Sequence, residues 1–287
     1  MVFCILNKRA VLCDSLFNRT FFGNRLYNQP MDQDIRLASQ EIRYPLALIT
    51  GAAHRLGKSF AICLARLGFG IALHYHNSGE KVPDAVDEIH KIGVPVFPIQ
   101  ADLRSHFSIQ ELFNSIDSLI SDPTLGLDPL RVVVNSASMM MKSDVETMSI
   151  ADFDDVMALN IRAPFFCAQL AFPRMSAGGL IVNISDIAAE KSWKDYGAYT
   201  VSKAGLDSLT KILARAFAPK VRVNGIAPGL VLAASGMTPE EWNRLVSRLP
   251  FMREASMTEL CNALEFFIKN EYITGQIIKV DGGYSLL

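Results

Sequence analysis

The sequence predicts an α/β protein: one Rossmann-type, doubly wound parallel sheet with helices on both faces. Two observations carry this. Apolar runs of about five residues recur from Tyr44 onward, and stretches of about 10–20 residues with helical apolar spacing separate them. No linker rich in Gly, Pro or Ser divides the chain, and no internal repeat appears. Short strands joined by helices require right-handed crossovers and therefore a parallel sheet.

The elements follow in order. Residues 46–50 form the first apolar run, ending at Gly51. Residues 57–67 place Ala61, Ile62, Leu64 and Ala65 at helical spacing, and Gly68 and Gly70 close that helix. Residues 71–75 read as a strand, 82–92 as a helix and 95–100 as extended. Residues 109–120 put Leu112, Ile116 and Leu119 on one helical face. Residues 131–134 form a buried strand. Residues 150–170 are helical, with Pro164 predicting a kink or a division. Strand 180–184 precedes a long helix over 198–217, and 221–226 and 276–280 are the last strands. Pro239 suits the first turn of a short helix within residues 230–253, a segment placed to cover a pocket.

Composition narrows the function classes. Half of the 287 residues are apolar and 20% are charged, which supports a sizeable core and excludes disorder for most of the chain. Lys and Arg total 28 against 29 Asp and Glu, so the basic field that nucleic acid needs is absent. No unbroken apolar run reaches the length of a membrane span, and none is expected. The five cysteines are Cys4, Cys13, Cys63, Cys167 and Cys261; they are odd in number, scattered and free of CxxC pairs. That pattern argues against a disulfide framework or zinc site and for a reducing compartment, the cytoplasm.

Residues 1–44 stand apart from the domain over 45–287. Before Met31, Lys8, Arg9, Arg19 and Arg25 face only Asp14. Residues 1–30 read as an organelle-targeting segment, or the whole stretch as a disordered or loose extension, or Met31 as the true start.

Between the first strand and helix lies Thr50-Gly51-Ala52-Ala53-His54-Arg55-Leu56-Gly57. Glycine there permits a tight turn and close approach to a pyrophosphate, and a helix N-terminus offers free N–H groups to the anion. An ordinary βα turn is the bland alternative. The second strand ends His74-Tyr75-His76-Asn77-Ser78, with no acid before Glu80. A carboxylate there, about 20 residues past the loop, would select NAD. Arg55, His76 and Ser78 suit a 2′-phosphate instead, which favours NADP. His74 and His76 share a strand face as a metal pair would, but no third ligand is evident and no metal is expected.

Tyr199 and Lys203 lie four apart on the long helix. An ammonium beside a phenol predicts a lowered tyrosine pKa and a proton relay.

At these residues the chain resembles the short-chain dehydrogenase/reductase family. The resemblance extends over residues 44–287 through the Thr50–Gly57 loop, Asp102-Leu103, Asn135-Ser136-Ala137, Asn160, Tyr199/Lys203, residues 222–225 and Pro228-Gly229. It implies that Asp102 holds the adenine and that Asn135 lies along the cofactor. Asn160 would support the lysine through water, and Lys203 would also bind the nicotinamide ribose. It implies a homotetramer built partly on the helices around Asn160 and Tyr199, whose first helix is apolar on more than one side.

Asp186 stands thirteen residues before Tyr199, where most of the family carry a serine, and Arg55 replaces the middle glycine of the loop. An ionised carboxylate repels a developing alkoxide, so Asp186 speaks for protonation at nitrogen rather than simple ketone reduction. This combination resembles the pteridine reductase branch, including the dihydromonapterin reductases. The branch implies that Arg55, His76 and Ser78 contact the 2′-phosphate and that Ser138 lies near pyrophosphate and pterin. It also implies that Asp186 and Tyr199 deliver protons. Asn77 and Met140 depart from it, standing where the protozoan enzymes have an arginine and a pterin-stacking phenylalanine. The expected activity is NADPH-dependent reduction of a pterin or dihydropterin. A carbonyl reductase of the 3-oxoacyl-thioester or sugar-alcohol type is the alternative, and a non-catalytic NADP sensor is the alternative from another class.

Overall fold

The computed structural model describes residues 42–234 and 236–287. Residues 1–41, and with them the readings of the N-terminal stretch, lie outside the described residues.

The elements are β1 (Tyr44–Ile49), α1 (Arg55–Arg66), β2 (Gly70–Tyr75), α2 (Val82–His90), β3 (Val96–Gln100), α3 (His106–Ser121) and β4 (Leu127–Asn135). Then come α4 (Ile150–Met157), a π turn (Ala158–Arg162), α5 (Ala163–Arg174), β5 (Met175–Ile184), α6 (Gly197–Phe217) and β6 (Val221–Pro228). α7 (Pro239–Val246), α8 (Met257–Lys269) and β7 (Ile277–Val280) complete the chain. The seven strands form one sheet in the order β3-β2-β1-β4-β5-β6-β7, with every pair parallel. The expected fold class is the observed one.

Both faces of the sheet are covered, which explains the continuous apolar strands. In β1, Ala47 and Ile49 face one core with Phe60, Leu64 and Phe267. Leu46 and Leu48 face the other with Phe113, Cys167 and Leu206. Adjacent residues of a strand point to opposite faces, so a doubly covered strand needs apolar residues at every position.

The predicted helix over 150–170 is divided. The break is the π turn at residues 158–162, and Pro164 sits just inside α5, where its missing N–H is tolerated. The stretch Ile150–Arg174 is long and apolar enough, by length and composition, to cross a membrane, where the sequence reading expects no such span. Its apolar surplus has a local cause: Ala163, Cys167, Ala168 and Ala171 pack into the core, while Ile150, Phe153 and Phe165 are exposed. The helix after Thr238 forms as expected, with Thr238 and Glu241 in a reciprocal capping box and Pro239 in the first turn.

The order of β1 beside β4 sets the site. Crossovers leave these two strands in opposite directions, so a crevice opens outside their carboxyl ends.

Candidate active site

On one side of that crevice lies a cleft of about 350 Å³, lined by residues 53–57, 74–78, 102–104 and 136–139 together with Gly51. Its first wall is the loop after β1. Gly51 has φ +66°, and a Cβ on it would lie 3.0 Å from Ala137 Cα. A Cβ on Gly57 would lie 2.1 Å from the Gly51 carbonyl oxygen. Glycine is required at both places for different reasons, backbone conformation and close packing. Arg55 opens α1 at φ 52°, a left-handed conformation that costs a non-glycine residue about 1–2 kcal/mol. His54 provides no side-chain cap, so the first-turn N–H groups of α1 have no side-chain acceptor.

The loop is held from both sides. Thr50 Oγ1 accepts from the N–H groups of Ser136 and Ala137, each at 3.0 Å. His74 Nδ1 accepts from Gly51 N–H at 3.1 Å, so the ring proton lies on Nε2 and is donated to Ala101 O at 3.0 Å. Burial lowers the His74 pKa to about 4 and keeps it neutral. Both of its nitrogens are occupied, which removes it from a metal pair with His76.

Gly51, Arg55, Leu56, Gly57, His76, Asn77, Ser78, Asp102, Leu103, Ser136, Ala137 and Ser138 all line this cleft. Thr50, Asn135, Tyr199, Lys203, Pro228 and Gly229 do not. Asn135 is a correction: its amide donates sideways to Asn183 Oδ1 at 2.8 Å, and Asn183 donates to Thr210 Oγ1 at 2.9 Å. It braces β4, β5 and α6 rather than lying along the cleft. Asp102 reaches the cleft but grips Arg104, which donates to its two oxygens at 3.1 and 2.9 Å. The Arg104 hydrogen bond holds the Asp102 carboxyl below its usual range. Arg104 also donates to Asp155 at 2.8 Å. Sequence reasoning missed this arginine; the signal available was an acid and an arginine two apart after β3.

Deeper lie the residues of α6. Tyr199 donates its hydroxyl to Asp186 Oδ2 at 2.7 Å, and Asp186 Oδ1 accepts from Ala188 N–H at 2.7 Å. Burial raises the Asp186 pKa. Burial, and then the Asp186 charge, push the Tyr199 phenol well above its usual value. This overturns the expectation that Lys203 lowers it. The lysine donates to Ile184 O at 2.8 Å and stands 5.5 Å from the Tyr199 ring centre, while the phenol's own partner is an acid. Burial lowers Lys203 to about 8. Ser185, beside Asp186, cannot act as the missing hydroxyl: it donates to Asp207 at 2.5 Å.

Asn160 is placed differently from expectation. Its Oδ1 accepts from Met139 N–H (2.8 Å) and Ser138 Oγ (3.1 Å), and its Nδ2 donates to Met139 O (2.9 Å) and Ser202 Oγ (3.0 Å). All four amide valences are used, so the side chain has none for a water leading to Lys203. It fastens the loop after β4 to α6.

A second cleft, about 440 Å³, opens over Asp186. Met140, Trp193, Leu232, Trp242 and Tyr284 line it, and Gly229 lies at its edge. A Cβ on Gly229 would lie 2.7 Å from Asp281 Cα, so glycine lets the chain after β6 pass the C-terminal segment. Trp193 and Leu232 belong to no motif of the sequence. Arg55 links the clefts, donating across to Ala233 O at 3.1 Å.

A family model described as Enoyl-(Acyl carrier protein) reductase matches residues 51–285. The 3-oxoacyl-(acyl-carrier-protein) reductase FabG of Staphylococcus aureus is 32% identical over 244 residues, covering 83% of this chain and 96% of that protein. FolM alternative dihydrofolate reductase 1 from Brucella canis, solved with NADP, has a TM-score of 0.79 and 32% identity, covering 86% of this chain and 96% of its own. The promiscuous reductase LugOII, which catalyses keto-reduction at C1 during lugdunomycin biosynthesis, has a TM-score of 0.79 at 28% identity, covering 86% of this chain and 100% of its own. The family match runs from the loop after β1 to the turn after β7, and this chain belongs to the short-chain dehydrogenase/reductase family.

Proposed function

We propose that this chain is an NADPH-dependent reductase of a pterin or dihydropterin, with Asp186 and Tyr199 as the proton-delivering pair. The observation that carries the reading is the 2.7 Å bond between Tyr199 and a buried carboxylate. A carbonyl substrate calls for a hydroxyl donor at that place, whereas a ring nitrogen calls for an acid.

The cofactor-side cleft fits NADPH. Its glycines leave no room for a Cβ, and the first turn of α1 is uncapped, which suits a pyrophosphate. Arg55, His76 and Ser78 line the end where the 2′-phosphate would sit. The FolM structure was solved with NADP, and so was that of the angucycline C-6 ketoreductase LanV. When bound, NADPH supplies the hydride to a ring carbon.

The chain's own residues manage the proton. The pair acts as an acid when Asp186 and Tyr199 are both protonated, and the burial that raises the Asp186 pKa favours that form. Giving up one proton leaves a single negative charge shared across the Tyr199–Asp186 bond. Lys203, protonated below about pH 8, lies behind the pair and offsets that charge. Trp193 and Trp242 give the second cleft apolar, flat walls suited to a planar ring.

The similarity to FabG supports the second reading, a 3-oxoacyl-thioester reductase. The test is NADPH oxidation by the purified protein against dihydropterin, dihydrofolate and acetoacetyl thioester. Turnover of the pterins above the thioester is expected; the reverse order replaces this reading with the second. The working form is a homotetramer on this reading, because Phe153, Phe165, Val201 and Ile212 expose apolar surface on α4, α5 and α6. A monomer by light scattering at micromolar concentration would reject it.

A further inference from the structure

Two cysteines 198 positions apart meet in a groove between α1 and α8. Cys63 Sγ lies 3.8 Å from the Cys261 carbonyl oxygen. Cys261 Sγ lies 3.6 Å from the Ser59 carbonyl oxygen, one helical turn before Cys63. Each thiol thus donates to a carbonyl of the facing helix, which brings the two side chains into one groove. Cys63 is buried, whereas Cys261 is partly open to the groove. Arg66 and Glu265 are the charged side chains that line the groove among the described residues.

The thiols are unequal. The neighbouring Cys261 thiol, and then burial, push the Cys63 thiol up, so it stays protonated. The neighbouring Cys63 thiol favours the Cys261 thiolate, with help from Arg66 and against burial and Glu265. Cys167 is a useful contrast: fully buried in the other core, it is pushed up to about 12 by burial alone.

We propose that Cys63 and Cys261 form a reversible disulfide in response to hydroperoxides. The Cys261 thiolate attacks the peroxide, the O–O bond breaks, and water or an alcohol leaves, giving a sulfenic acid. The Cys63 sulfur then attacks the Cys261 sulfur, and water leaves with the Cys63 proton. Two thiols lose two electrons and the peroxide gains them. Cys63 Sγ packs against the backbone of Cys261, and Cys261 Sγ against the turn that precedes Cys63, so the two sulfurs start from the same groove. The scattered cysteines of the sequence thus include one pair brought together by packing, without the framework that the sequence reading excludes. The bond would fasten α1, which begins at the cofactor loop, to α8, which follows the substrate-side segment. This proposal stands apart from the substrate assignment.

The test uses the full purified chain, treated with hydrogen peroxide at neutral pH, alkylated and mapped as peptides without reduction. One linked peptide pair joining Cys63 and Cys261 is expected, released by dithiothreitol, with a higher Tm in the oxidised chain because the cross-link closes a long loop. Cys63→Ser should abolish the link and leave Cys261 as a sulfenic acid that a dimedone probe labels. Recovery of both cysteines as free thiols would overturn the proposal. So would a link from either one to Cys4, Cys13 or Cys167, or sulfinic acid at Cys261 in the unsubstituted chain without the link.

Discussion

The cofactor-side cleft is lined by strand-end loops that side-chain hydrogen bonds hold in place, whereas the substrate-side cleft is walled by large side chains from loops far apart in the chain. In the first, Thr50 and His74 hold the Gly51 loop, and Asn160 holds the Ser138–Met139 segment. In the second, Met140, Trp193, Trp242 and Tyr284 come from four separate segments. Their ties run between loops: Ser143 N–H donates to Asp195 O at 2.9 Å, an isolated bridge joins Ser143 to Tyr196, and Arg55 donates to Ala233 O. The first region is suited to one invariant ligand fragment, and the second can change its walls without disturbing the sheet.

Substitutions on either side put this contrast to the test. The largest effect is expected where the regions meet. Tyr199→Phe removes a proton carrier, so kcat should fall by about 10²–10⁴-fold for any substrate. Cofactor affinity, read by fluorescence titration, should stay within twofold of about its original value. A loss smaller than tenfold would detach Tyr199 from the chemistry. Next is Asp186→Ser. Dihydropterin turnover should drop by about 10²-fold, the lower end of general acid help. If turnover of acetoacetyl thioester rises above it in the same variant while the parent prefers pterin, Asp186 is the specificity switch; unchanged pterin turnover removes Asp186 from proton delivery.

On the cofactor side, Arg55→Ala should raise the NADPH Kd by about tenfold or more, since a charge-assisted hydrogen bond contributes roughly 1.5–3 kcal/mol. The NADH Kd should hardly change, and equal losses for the two would show that Arg55 does not read the phosphate. A pH profile gives the next effect. Lys203 carries its proton below about pH 8 and loses it above. Asp186, although raised, also ionises as pH increases. Both losses run in the same direction, so pterin reduction should decline toward alkaline pH, steeply above pH 8. A flat profile from pH 6 to 9.5, on a scale where one group gives about tenfold per unit, would contradict both assignments. The smallest effect belongs to the substrate side. Met140→Phe adds an aromatic face and should lower KM for a pterin by about two- to tenfold, the worth of one aromatic contact. A raised KM would place Met140 outside the ring's path.

The same contrast explains what was legible in the sequence. Strand and helix order followed from apolar spacing, because a doubly covered sheet imposes that spacing on every strand. That Gly51, Gly57, His76 and Ser78 share one cleft was also legible, because they sit at fixed offsets from strand ends. Asn135 misled because its partner, Asn183, is a register neighbour on β5, 48 residues away. The Tyr199–Lys203 spacing showed a shared helix face but not the carboxylate opposite, so the sign of the phenol shift came out reversed. The division between α4 and α5 was marked only by Pro164, because a π turn has no residue signature of its own. Arg104 meets Asp155, and Trp193 meets Tyr284, only through folding.

Arg55 has one more consequence. Its guanidinium holds Ala233 O, in the segment leading to α7, while its own backbone shapes the start of α1. A phosphate that draws this guanidinium away removes a tether from the wall of the other cleft. Free energy is path-independent, so the influence must run both ways: whatever factor the dinucleotide changes substrate affinity by, the substrate changes dinucleotide affinity by the same factor. With Arg55 on the phosphate, as proposed, one side chain would make the two ligands answerable to each other. The size of that mutual effect can be read as the ratio of NADPH Kd values with and without substrate analogue, and it should shrink toward unity once Arg55 is alanine.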